Sequence, residues 1–113
     1  MKKEIAELIC KALNSGEFPQ SKGFLYKARR FCVLGVIADL AMVEGVCDFA
    51  YDEKKQCGFY DGLAGVLPPS VVEWAGMKSR SGAVDFVTLT FYNDNGWSFP
   101  ELAVLIAENY EQI

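Results

Sequence analysis

From Phe31 to Val43 the chain reads FCVLGVIADLAMV, apolar or Gly at every position except Asp39. A helix that is apolar all round must be covered on every side, and this run is shorter than the roughly 20 residues that span a bilayer. It predicts a buried central helix, beginning near Arg29 or Arg30 and stopping at Gly45, whose missing Cβ suits the left-handed residue after a helix. Gly35 falls inside it. Because Gly costs roughly 1 kcal/mol relative to Ala in a helix interior, its presence there predicts close approach by another backbone. Asp39 reads as an edge carboxylate or as one paired with a donor, with a catalytic acid as the alternative.

The flanking segments are amphipathic. Ile5, Leu8, Ile9, Ala12 and Leu13 recur at helical spacing among Glu4, Glu7 and Lys11, and Gly16 with Pro19 beyond ends that helix. Residues 46–60 alternate Cys47, Phe49 and Tyr51 on one face, then turn through charged residues to Cys57 and Phe59, which predicts a β-hairpin. With Asp52 to Gln56 as its loop, Cys57 faces Tyr51 and not Cys47, so the register opposes a disulfide. A short helix follows Leu67-Pro68-Pro69-Ser70 as far as Gly76, with Trp74 on the core, and MKSRSG is a loop. Val84 to Tyr92 is β-branched and aromatic, predicting a strand with Val87, Leu89 and Phe91 on one face, a helix being the alternative. After the turn Asn93-Asp94-Asn95-Gly96, Ser98 and Glu101 form a capping box. Pro100 then sits in the first turn, Trp97 can staple onto Leu102, and Phe99, Leu102, Ala103, Ile106 and Tyr110 make the buried stripe. The fold class expected is α+β: one small domain over 1–113, with a buried central helix, flanking amphipathic helices and a short antiparallel hairpin or sheet.

Composition and charge narrow the chemistry. At 113 residues, with half of them hydrophobic, the chain can bury a core without disulfides or metal. Glu4 and Glu7 interrupt what would be the apolar region of a signal peptide, so the expected location is cytoplasmic, with no membrane association. Cys10, Cys32, Cys47 and Cys57 form no CxxC pair and are expected to be reduced thiols. The chain has no histidine. A zinc site would need Cys and carboxylate ligands at non-standard spacing, and a Ser or Cys nucleophile would lack its usual base, so neither metal, cofactor nor triad hydrolase is expected. No Gly-rich phosphate loop is present. Gly96-Trp97-Ser98 with Glu101-Leu102-Ala103 resembles the entry to a helix-turn-helix, but the net charge of −4 opposes phosphate contacts and no recognition helix follows before Ile113, so no DNA partner is expected.

One cluster of positive charge stands out. Lys22, Lys27, Arg29 and Arg30 lie in a stretch without an acid, and they read either as a solvated loop or as an anion site to which Ser21 and Gly23 add donors.

Gly16-Glu17-Phe18, Gln20, Gly23, Leu25, Phe31-Cys32, Leu34-Gly35-Val36 and Asp39-Leu40 together resemble a family of small uncharacterised proteins common in bacteriophage and prophage genomes. Leu67-Pro68, Val71, Trp74, Gly76, Asn93-Asp94, Gly96, Ser98-Phe99, Glu101 and Ala103 continue that pattern. Val33 stands after Cys32 where members often show a second cysteine, a departure that argues against a paired-thiol role. The resemblance implies a non-enzymatic phage-type accessory protein that binds and inhibits a host component, including a defence-related one. Exposed Tyr, Trp and acidic side chains would supply the contacts. The alternative is a binder of a small phosphorylated molecule or nucleotide through Lys22, Lys27, Arg29 and Arg30. The partner expected is thus a host protein or a small anionic ligand, and formation of a homo-oligomer stays open.

Overall fold

Helix α1 (Lys3–Asn14) and the helix at the far end of the chain, α5 (Phe99–Asn109), pack side by side. Each buries one stripe: Ala6, Ile9, Ala12 and Leu13 on α1, and Phe99, Leu102, Ala103 and Ile106 on α5. The apolar positions recur at three and four residues, so each stripe faces one way and the charged residues face water. The computed structural model describes residues 1–113, and its architecture is α+β.

Helix α2 (Val33–Val43) packs against α1, and in it Val33 to Ala38 and Ala41 are all buried. It starts later than the sequence predicts. Arg30 and Phe31 belong to strand β2 (Arg30–Phe31), which pairs with β1 (Tyr26–Lys27) around a two-residue turn at Ala28 and Arg29. Both turn residues have positive φ, 51° and 65°, the backbone that a two-residue hairpin demands and that Asn-Gly usually supplies. Gly35 performs as its position predicts. A Cβ built there would overlap the Leu25 carbonyl and lie 2.6 Å from the Leu25 carbonyl carbon, so the loop backbone rests directly on α2.

The expected hairpin is β3 (Phe49–Asp52) and β4 (Cys57–Tyr60), with β1 and β2 added to it in the order β2-β1-β4-β3, all antiparallel. Its register differs by one residue from the sequence reading. Tyr51 is opposite Gly58 and Asp52 opposite Cys57, because Asp52 closes the turn by accepting from the Lys54 and Lys55 amides at 3.0 and 3.1 Å. The four cysteines are unpaired.

Helix α3 (Pro69–Ala75) ends at Gly76, in left-handed backbone. The strand expected over 84–92 is not formed. Two short strands, β5 (Ala83–Val84) and β6 (Val87–Thr88), make a hairpin, and α4 (Leu89–Asp94) follows at once. The Thr88 hydroxyl accepts from the Phe91 amide at 3.1 Å and so caps α4. Leu89 and Phe91 therefore part company, Leu89 buried and Phe91 57% exposed. Before α5 the predicted capping box is present, with Ser98 and Glu101 bonded reciprocally. Trp97 packs edge-on against Tyr92, ring centres 4.8 Å apart.

Candidate functional site

Alternation along the strands sorts the sheet residues onto two faces. Phe31, Tyr26, Gly58, Tyr51, Phe49 and Tyr60 share one face through the pairings Tyr26 with Phe31, Tyr51 with Gly58 and Phe49 with Tyr60. Their rings form a continuous chain of contacts. Phe18 meets Phe31 at 5.0 Å between centres, Phe31 meets Tyr26 at 4.8 Å, Tyr26 meets Phe49 at 5.7 Å and Tyr51 at 6.0 Å, and Phe49 meets Tyr60 at 5.0 Å. Four of these contacts are edge-to-face and the Phe49–Tyr60 contact is tilted, geometries that add to the packing of aromatic pairs beyond the area they bury. Gly58 makes the arrangement possible, since a Cβ there would come within 2.6 Å of the Phe49 ring and 2.9 Å of the Tyr26 ring.

The inner end of this ladder is sealed and the outer end is open. Tyr60 is fully buried and donates its hydroxyl to Asp39 Oδ1 at 3.1 Å. Phe49 is 39% exposed and Tyr51 43% exposed. Asp39 is thus a carboxylate on α2 paired with a donor, one of the arrangements its sequence context predicts. Burial pushes its pKa up, against the pull of the Tyr60 hydrogen bond, while burial and the Asp39 charge push the Tyr60 phenol up. A carboxyl that is raised on folding stabilises the fold most when protonated, below the ordinary Asp range, and that contribution is lost as pH rises through its folded value. Asp39→Asn keeps the acceptor for Tyr60 and removes the charge. The variant should therefore be at least as stable as the parent at pH 7, with the difference vanishing near pH 3, as measured by denaturant titration at the two pH values.

Three of the predicted basic residues stay together and Lys22 stands apart. Lys27 and Arg30 lie opposite one another on the face of the sheet away from the aromatic ladder, and Arg29 sits in the turn between them. The Lys27 ammonium stands 4.3 Å above the Phe24 ring. Lys22 instead borders a polar cleft of about 300 Å³ that is lined by Gln20, Ser21, Asn93, Gly96, Trp97 and Ser98. All four cations are exposed.

Behind that cleft lies a polar network that sequence reasoning missed. Asn93 is 1% exposed. Its Oδ1 accepts from the Val33 amide at 3.1 Å and from Gln20 Nε2 at 3.0 Å, and its Nδ2 donates to Ser21 O at 2.8 Å and to Asp94 Oδ1 at 3.0 Å. Gln20 also donates to Trp97 O at 2.7 Å and accepts from the Phe99 amide at 3.0 Å. These bonds cap α2, which has no side-chain cap of its own, and pin loop 20–25 to the α4–α5 corner. Gln20, Gly23, Asn93 and Asp94, four residues of the pattern read from the sequence, meet in this network.

The thiols are shielded. Burial raises the Cys32 and Cys47 pKa values to about 11, helped at Cys47 by the nearby Asp61, and burial also raises Cys10. Thiolate is the reactive form. Titration with a thiol reagent at pH 8 should find all four thiols in denatured protein without reductant, yet leave Cys32 and Cys47 unmodified over minutes in the native protein. Fewer than four in the denatured sample would show a disulfide. No group of three or more Cys, Asp or Glu side chains is placed to hold a metal ion, and no helix is long and apolar enough to cross a membrane.

Comparison with known proteins adds one relation. Residues 1–110 match a protein family described as a domain of unknown function, DUF8296. The chain belongs to that family. No curated protein and no solved structure matches it. Within this DUF8296 chain the aromatic face was half legible. Phe49 and Tyr51 show the alternation, whereas Phe18, Tyr26 and Phe31 lie in a stretch whose turn at Ala28-Arg29 gives no hairpin signal.

Proposed function

We propose that this chain is a non-enzymatic binding protein that engages a protein partner through the outer end of its aromatic sheet face. The observation that carries the reading is the ladder from Phe18 to Tyr51, fixed by ring contacts and open to solvent at Phe49 and Tyr51. Rigid aromatic side chains give contact area with little entropy to lose, and such residues dominate protein interfaces. A small anion would need the four cations around a concavity, and only Lys22 borders one. The absence of histidine and the pairing of Asp39 with Tyr60 also suit a binding role. The resemblance to small phage proteins directs the search to host proteins, and inhibition of a host component, defence systems included, is the activity to assay.

Tagged wild-type protein and a Phe49→Ser/Tyr51→Ser variant should be compared by affinity capture from a bacterial lysate, analysing both proteins and small molecules. Loss of two hot-spot side chains should lower recovery of a specific protein by about tenfold or more, each such side chain contributing upwards of roughly 1 kcal/mol. Equal recovery by both proteins contradicts the reading. A bound nucleotide that is lost in Arg29→Gln/Arg30→Gln would replace it with the anion alternative.

A further inference from the structure

The aromatic face runs out to an uncovered sheet edge, and its chemistry narrows what can bind there. Strand β3 is the last in the order and pairs only with β4. The Asp61 amide donates to Asp48 O at 2.9 Å, which sets the antiparallel alternation: Asp48, Ala50 and Asp52 direct their main-chain groups toward β4, and Phe49 and Tyr51 direct theirs outward. The far side of β4 agrees, because Tyr60, opposite Phe49, bonds through its own amide to Leu63 O at 2.8 Å and not to β3. Phe49 and Tyr51 therefore present both exposed rings and unpaired N–H and C=O groups. Between them Ala50 is exposed and small, so a second chain can approach. Asp48 and Asp52 flank the edge, on the face opposite the rings.

We propose that β3 accepts an extended segment of a partner protein as an added strand, and that the segment carries the pattern basic, apolar, any, apolar, basic. This rests on the aromatic-face reading and deepens it. Main-chain pairing to Phe49 and Tyr51 supplies register. The two apolar residues of the segment lie beside those rings on one face, and its two basic residues lie across from Asp48 and Asp52 on the other. The same charges disfavour a second copy. Antiparallel self-pairing in full overlap is centred on Ala50 and sets Asp48 of each copy against Asp52 of the other, like charges directly opposite.

The test uses the ¹⁵N-labelled chain with a blocked Lys-Val-Thr-Val-Lys peptide and its Glu-Val-Thr-Val-Glu counterpart. The basic peptide should shift the Phe49 and Tyr51 amides and slow their exchange, and the acidic one should bind about tenfold more weakly, the order expected when two cross-strand charge pairs are inverted. Tyr51→Ala should keep part of the protection at Phe49. Tyr51→Pro, which removes an outward N–H that β4 does not use, should abolish it. A second arm needs no peptide. Asp48→Lys, at an exposed position, makes the edge self-complementary and should dimerise in sedimentation where the wild type is monomeric, and adding Asp52→Asn, which keeps the side-chain acceptor of the turn but removes the charge, should shift it back toward the monomer.

Equal effects of the two peptides overturn the proposal, as does a monomeric Asp48→Lys whose edge amides no peptide protects. A wild-type dimer protected at Phe49 and Tyr51 also overturns it, by making a second copy the occupant. If capture from lysate depends on Phe49 and Tyr51 while the edge amides stay unprotected, strand addition is wrong and the aromatic-face reading survives.

Discussion

Gly35→Ala should unfold or nearly unfold the protein. The added methyl carbon would occupy the space of the Leu25 carbonyl, a main-chain group that cannot rotate away. Leu25 is itself fully buried, and its amide is bonded to Ala64 O at 2.8 Å, so the loop cannot retreat without losing that bond as well. Overpacking a core costs about 1 to 3 kcal/mol where side chains can shift, and a backbone clash belongs at or above the upper end. A loss of about 3 kcal/mol lowers the melting temperature of a domain this size by roughly 10 to 20 °C. Gly58 is the control. There the obstructing atoms belong to the Phe49 and Tyr26 side chains, which can yield by giving up ring contacts, whereas a main-chain carbonyl cannot. Gly58→Ala should therefore cost clearly less, and Gly35→Leu should likewise be worse than Gly58→Leu. Equal melting temperatures for either pair would show that loop 20–25 does not rest on α2.

Asn93→Ala should be the most damaging polar substitution. The side chain serves four partners in a nearly sealed position, and its removal strands the Val33 amide and the Ser21 carbonyl. A buried group left without a partner costs about 1 to 3 kcal/mol, so a total near 3 kcal/mol is expected, moderated by water entering from the adjacent cleft. Asn93→Asp separates hydrogen bonding from shape. Its second oxygen would face Ser21 O and Asp94 Oδ1, two acceptors, and its charge would lie beside Asp94. Both effects raise the pKa of the introduced carboxyl. Its deficit should then be largest at neutral pH and shrink as pH falls and the acid becomes a donor. A deficit independent of pH would mean that Asn93 acts by volume alone.

These two residues differ in how far they could be read. Gly35 announced itself, because a glycine inside an unbroken apolar helix carries a known cost and implies close packing. What packs there could not be inferred, since Leu25 reaches Gly35 only after loop 20–25 folds back over α2. Asn93 looked like an ordinary turn residue in Asn-Asp-Asn-Gly. Its cap on Val33 joins residues 60 apart in sequence, and nothing in either local stretch points to the other. The region 84–92 shows a true competition. Val84 to Tyr92 has strand composition throughout, but Asp85 and Phe86 both take positive φ, a conformation that composition disfavours and that the two-residue turn between the paired Val84 and Val87 requires. That turn ends the strand early and leaves Thr88 free to cap α4.

By itself the sequence determined the α+β class, the buried central helix, both amphipathic helices, the stop of the first at Gly16, the capping box at Ser98, and the hairpin that carries Phe49 and Tyr51. Each of these follows from local periodicity or from a cap, which act over a few residues and are written in the order of the chain. Tertiary structure decided the remainder: the pairing of Asp39 with Tyr60, the dispersal of Lys22 from Lys27, Arg29 and Arg30, the gathering of Phe18, Tyr26 and Phe31 beside Phe49, and the exposure of β3 as an edge. Those relations depend on which strands become neighbours, and that is set by burying one shared core and not by any local preference.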